Sequence, residues 1–178
     1  MKKVIIAAAA SLFAVSAYAN TAFDGLYGGI AGSYGQSKAE GLKDDGFSGG
    51  IYGGYGLTFD KFYLGGEAKA DFGGFKFSED GMSAEKEYGY GVSARAGYLV
   101  NKDTLGYGIV GYERGRIEFS EAGAASKENI DGITFGAGVE RMLKNNVAVR
   151  GEVTHTKWDA DDVDIKETKG TIGIGIRF

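Results

Sequence analysis

Few side chains in this sequence could do chemistry, and their types narrow what that chemistry would be. His155 is the single histidine, so any imidazole acid or base must be this residue. Its neighbours run His155-Thr156-Lys157, with no serine beside the imidazole to serve as an activated nucleophile, and acyl transfer is left with no evident mechanism. Cysteine is absent, which excludes thiol catalysis and cysteine metal sites, and an acylated-cysteine anchor is not expected. Carboxylates are plentiful: Asp44 and Asp45; Glu79, Asp80, Glu85 and Glu87; Glu121, Glu128 and Asp131; Asp159, Asp161, Asp162 and Asp164. The last run could chelate a hard cation or bridge through divalent ions to phosphates. It lacks the glycine and distal glutamate of a calcium loop, so solvated loop charge is the default reading. None of the glycine runs has the spacing of a phosphate-binding loop. These residues lead us to expect no catalytic group, metal, cofactor or nucleic-acid partner.

A second set of charges lies within apolar segments: Glu67, Lys69, Asp71, Arg95, Arg114, Arg116, Glu140, Arg150, Glu152 and Arg177. Buried charges are costly unless paired, and six basic against four acidic groups lets most of them find partners. They are expected to share one interior and to form an ion-pair network there.

The elements that must position them alternate with period two. Such segments fall near residues 26–36, 47–57, 62–72, 88–100, 105–119, 133–143, 147–158 and 171–178. Eight strands are an even, closable set, and most approach the roughly 9 to 11 residues that a tilted strand needs to cross a bilayer. The connections alternate between short turns at 58–61, 101–104 and 144–146 and longer loops at 37–46, 73–87, 120–132 and 159–170. Short periplasmic turns and longer outer loops are the habit of outer-membrane barrels, which would leave both termini in the periplasm.

The closing segment, Gly170-Thr-Ile-Gly-Ile-Gly-Ile-Arg-Phe178, puts Ile172, Ile174, Ile176 and Phe178 on one face and Thr171, Gly173, Gly175 and Arg177 on the other. An apolar edge of this kind suits a closed membrane barrel, where it seals against the first strand. Other aromatics gather toward strand ends as interfacial girdles, with Tyr34 and Trp158 in the outer belt and Tyr55, Tyr98, Tyr107 and Phe178 in the inner one. Glycine pairs such as Gly49-Gly50 and Gly53-Gly54 remove volume from a narrow lumen. Eight strands enclose only enough space for side chains, so the polar face reads as a plug.

Two places resist the alternation. In the fifth segment, Leu105, Tyr107 and Ile109 are expected outward, which leaves Glu113 outward and Val110 and Tyr112 inward, so a bulge or a stretch rising above the bilayer is expected there. Phe75 and Phe77 follow Gly73-Gly74 with the opposite parity to Phe72, and that hairpin is expected to extend beyond the membrane.

At the other end, Lys2 and Lys3 precede an apolar run over 4–15 and the small-residue site Ala17-Tyr18-Ala19. This reads as a cleaved signal peptide over 1–19, with the barrel domain over 20–178 starting at Asn20. The run is too short to span a bilayer. Removing it leaves 159 residues with a formal charge of −6, and no later segment is apolar enough for a transmembrane helix.

The stretches Tyr88-Gly-Tyr-Gly-Val-Ser-Ala-Arg-Ala-Gly-Tyr98, Tyr107-Gly-Ile-Val-Gly-Tyr112, Gly136-Ala-Gly-Val-Glu140 and the Arg177-Phe178 ending carry a resemblance over the whole mature chain. It resembles the small eight-stranded outer-membrane barrels, including the porin-opacity group, the transmembrane domain of outer-membrane protein A and the X-type attachment and invasion proteins. The resemblance implies an all-β, eight-stranded antiparallel up-and-down transmembrane β-barrel in the outer membrane of a Gram-negative bacterium, surrounded by outer-membrane lipid and lipopolysaccharide. It implies that Phe178, with Ile176, is read by the barrel assembly machinery. Lipid A deacylases among such barrels use a His-x-Ser arrangement, which His155 lacks. The function expected is a non-enzymatic barrel whose acidic loops serve surface interaction, adhesion or envelope integrity, for a ligand the residues do not name. A small porin-like channel and, further off, a lipid A modifying enzyme are the alternatives.

Overall fold

Period-two sequences form strands because alternate side chains can then be sent to two different surroundings. In the computed structural model this happens in order along the chain, over the described residues 21–39, 42–74, 76–79, 82–121, 124–160 and 163–178. The expected signal segment and its cleavage residues Ala17, Ala19 and Asn20 lie outside them. The strands are β1 (Gly25–Ala39), β2 (Leu42–Phe59), β3 (Phe62–Gly74), a short β4 (Lys76–Glu79), β5 (Met82–Asn101), β6 (Thr104–Glu121), β7 (Ala124–Met142), β8 (Val147–Ala160) and β9 (Val163–Arg177). Each pairs antiparallel with its neighbours, and two further pairings close the ring, β3 with β5 and β1 with β9. β4 continues the line of β3 along β5, so the barrel proper has eight strands. Phe77 lies within β4, so that hairpin continues past Gly74, while Phe75 lies outside the described residues.

Three tight connections mark one end. Asp60 takes φ 59°, Asn145 φ 61° and Asn146 φ 60°, values that short polar side chains tolerate. At the other end the expected long loops are mostly paired strand. Ser37 is already within β1, and the described residues of the segments expected as loops at 73–87, 120–132 and 159–170 run mostly as paired hairpin arms. With strands of 13 to 20 residues, the hairpins outrun the roughly 9 to 11 residues that cross a bilayer, because two-stranded ribbons keep their ladder hydrogen bonds in water.

The outer surface is apolar. Ile30, Ile51, Leu64, Val92, Val139, Val153, Ile172, Ile174 and Ile176 are all exposed on it. A soluble sheet would bury such a face, whereas a barrel in hydrocarbon exposes it. Among the described residues no helix is long and apolar enough to cross a membrane.

One strand, β6, departs from expectation over residues 105–116. In β6 Leu105, Tyr107 and Glu113 point into the barrel and are buried, while Val110 and Tyr112 point out. The expected bulge at Glu113 is absent. Residues 88 to 99 of β5 pair without interruption to 116 to 105 of β6, and the two shifts flank that stretch, at Lys86/Tyr88 and Leu99/Asn101. The ladders to β5 and β7 determine the parity of the whole strand.

Candidate functional site in the barrel interior

The lumen is filled from its short-turn end upward. Gly25 turns the chain with φ +98°, and residues 21 to 24 fold across the mouth ahead of it. Asp24 accepts hydrogen bonds from the Thr21 amide at 2.9 Å and the Thr58 amide at 2.5 Å. Phe23, fully buried, packs with Tyr63, Leu99, Leu105, Tyr107, Met142 and Ala148. No alternation in the sequence signals this plug, since Phe23 precedes the first alternating segment.

Above the plug lies a layer of three arginines and three glutamates. Arg95, from β5, is 1 % exposed and reaches Glu67 at 3.2 Å, Glu140 at 3.1 Å and Glu152 at 3.6 Å. Arg150, from β8, grips Glu67 through both terminal nitrogens at 2.5 and 3.2 Å. Arg177, from β9, donates to Glu140 at 3.0 and 2.8 Å. Aromatic rings wall the layer. The guanidinium carbon of Arg95 stands 3.8 Å from the Tyr107 ring centre, that of Arg150 3.4 Å from Tyr52 and that of Arg177 4.4 Å from Tyr27. These rings need space, which glycines leave. A Cβ on Gly175 would lie 2.6 Å from the Tyr52 hydroxyl, and one on Gly138 would lie 2.7 Å from the Tyr107 ring.

A second layer, nearer the hairpin end, uses lysines. Glu113 accepts from Lys69 at 2.8 Å and from the Thr134 hydroxyl at 2.6 Å, with the Lys169 ammonium at 3.8 Å. Lys169 also lies 3.7 Å from Glu167. Asp71 is marginal, 4.0 Å from Lys69. Between the layers a void of about 20 Å³ is lined by Tyr52, Lys69, Asp71, Arg150, Glu152 and Lys169 among others. That is room for about one water. Rings, glycines and paired charges are stacked in this way through the described interior.

The structure thus brings together Glu67, Lys69, Asp71, Arg95, Glu140, Arg150, Glu152 and Arg177 inside the barrel. It does not bring Arg114 and Arg116 there. Even-numbered residues of β6 face outward, so Arg114 pairs at the outer surface with Asp131 at 2.6 Å and Arg116 donates to the Tyr88 hydroxyl at 2.9 Å. In their place the lumen receives Glu113, Glu167 and Lys169. Glu113 follows from the reversed parity, and the other two lay in a segment expected as loop but continuous in alternation with Thr171.

The girdle is corrected in the same way. Tyr34 is outward and exposed, its hydroxyl donating to Asp45 at 2.6 Å. Trp158, expected beside it, is 2 % exposed and inward, donating its indole N–H to Glu167 at 2.9 Å. Val149 and Val153 take the outward positions of β8, so an even-numbered residue there must point in. Tyr107, expected in the inner belt, forms a wall of the lumen. His155 lies outside, its Nδ1 3.0 Å from the Thr168 hydroxyl. Phe178 is 82 % exposed, and its amide donates to Leu26 at 2.8 Å, completing the seam.

Comparison with known proteins gives the same architecture. A family model described as outer membrane protein beta-barrel domain matches residues 5–178. A 22 kDa outer membrane protein of Rhizobium leguminosarum is 30% identical over 125 residues, covering 64% of this chain and 58% of that protein. The 25 kDa outer-membrane immunogenic protein of Brucella ovis is 26% identical over 159 residues, covering 86% of this chain and 77% of its own. Among solved structures, Neisserial surface protein A superposes with a TM-score of 0.69 at 16% identity, over 87% of this chain and 98% of that one. Ail, the attachment invasion locus protein of Yersinia pestis, gives 0.60 at 22% identity, over 87% and 99%.

Proposed function

Because this chain belongs to the outer membrane protein beta-barrel domain family, we propose that it is a non-enzymatic, closed barrel that holds its hairpin end at the cell surface for interaction, adhesion or envelope integrity. The observation that carries this reading is the filled lumen. Arg95, Arg150 and Arg177 interlock with Glu67, Glu140 and Glu152 above the Phe23 plug, which suits a rigid stand better than a channel. With the lumen closed, binding falls to the hairpins that rise beyond the membrane. Both termini lie in the periplasm in this reading, and Phe178 with Ile176 serves recognition by the barrel assembly machinery.

Solved relatives offer a model for surface use, since Ail carries attachment and invasion in its name and has been solved with the heparin analogue sucrose octasulfate. The enzyme alternative finds no support at His155, which contacts Thr168 and is followed two residues on by Lys157. Cells with shortened hairpins, compared with cells carrying the whole barrel, should lose host-cell adhesion or resistance to detergent while the barrel still inserts. Unchanged performance in both assays would refute the surface role.

A further inference from the structure

Among the described residues, the cations inside the barrel have carboxylate partners, whereas Lys157 and Lys166 on its outside have none. Lys157 of β8 and Lys166 of β9 are directly opposite each other in the antiparallel ladder, and both are exposed on the outer face. Like charges so placed repel. Among the described residues neither ammonium has a carboxylate within salt-bridge distance. In the backbone register, Lys166 stands opposite Lys38 of β1, and Lys38 opposite Lys43 of β2.

Its height is informative. Outward positions of β8 run Val147, Val149, Gly151, Val153 and His155 before Lys157, against Ile176, Ile174, Ile172, Gly170 and Thr168 before Lys166. Ten residues of strand at about 3.3 Å each, tilted by about 40°, lift Lys157 about 25 Å above Val147, the height of a barrel's apolar band. On its other side Lys157 pairs with exposed Ile133, so its stem borders apolar surface while its ammonium can reach the headgroups. The next backbone pair towards the hairpin end is Asp159 with Asp164, and Asp159 is exposed.

We propose that Lys157 and Lys166 form a binding site for a phosphate group on the lipid of the outer leaflet. Residues opposed on a ladder are about 5 Å apart, close enough for two ammoniums to share one phosphate, which would remove their repulsion. A lipid phosphate suits the pair better than a soluble polyanion, since the rung adjoins the apolar band rather than the hairpin tips. The inference rests on the proposed orientation only for its place in the cell, because the site itself is built by the register of β8 with β9.

The test uses the whole barrel refolded in phosphatidylcholine vesicles containing bisphosphorylated lipid A or the same lipid stripped of phosphate, with retained lipid counted by native mass spectrometry. Lipid A in both leaflets makes the result independent of orientation, which protease access in intact cells reads separately. Lys157→Gln or Lys166→Gln should each weaken retention of the bisphosphorylated lipid about fivefold. The double variant should lose most of it, still migrating as a folded barrel before heating. Dephosphorylated lipid should bind weakly and equally to all forms, and Lys61→Gln with Lys102→Gln, at the short-turn end, should retain as much as wild type. The proposal is overturned if the double variant keeps its lipid, if the short-turn variant loses as much, or if the rung proves to bind sucrose octasulfate in water and not lipid.

Discussion

The guanidinium of Arg177 donates a hydrogen bond of 2.5 Å to the carbonyl oxygen of Phe23, so the penultimate residue of the chain fastens the segment that plugs the barrel mouth. The same side chain holds Glu140, which in turn holds Arg95. Plug, closing strand and ion network are one connected structure.

Removing the plug ring should therefore weaken the barrel without opening it. Phe23→Ala is expected to cost about 3 to 5 kcal/mol, the usual range for emptying a buried aromatic site. Urea unfolding in lipid vesicles measures the loss. Planar-bilayer recordings on the same variant should stay silent, because the Arg95–Glu67–Arg150 layer still closes the lumen. Steady large channels in the wild-type protein would contradict a filled interior.

Glu67 is the acidic hub, receiving both Arg95 and Arg150. Glu67→Gln keeps the shape and removes the charge, leaving two guanidiniums short of a partner, and is expected to destabilise by about 3 to 5 kcal/mol. Asp131→Asn, which breaks the half-exposed pair with Arg114, should change the unfolding midpoint far less, since water screens that pair. Equal effects from the two variants would mean that the interior pairs are not desolvated.

Trp158 is the single tryptophan, so its fluorescence reports one site. Facing inward against Glu167, it should be quenched weakly by lipids brominated along their chains, and less than a tryptophan introduced at exposed Phe135 in a Trp158→Phe background. Quenching of Trp158 as strong as that of the introduced residue would return it to the outer girdle.

Phe178 is mostly exposed and contributes one backbone hydrogen bond to the seam. Its deletion should leave refolding of purified protein into detergent nearly intact while lowering the amount of barrel assembled in cells. A matching drop in both would make its role structural, and normal assembly in cells would remove the sorting role.

The sequence by itself was enough for the strand number, the meander order and the existence of two chemically opposed faces. Period-two alternation is local, so residues such as Ile172, Ile174 and Ile176 declare a common face without knowledge of any neighbour. The same locality explains what it could not decide. In β6, Leu105 and Tyr107 occupy one parity and Val110 and Tyr112 the other, two apolar sets of equal claim, and only the ladders to β5 and β7 send Glu113 inward and Arg114 and Arg116 outward. Trp158 is apolar enough for lipid, yet its register opposite Ile165 on β9 turns it into the lumen, within reach of Glu167. Charged hairpin arms look like loops because polarity marks contact with water, whereas a ladder forms wherever two backbones pair. Which partner each charge finds is a property of register between distant segments, and that is settled only when the barrel closes.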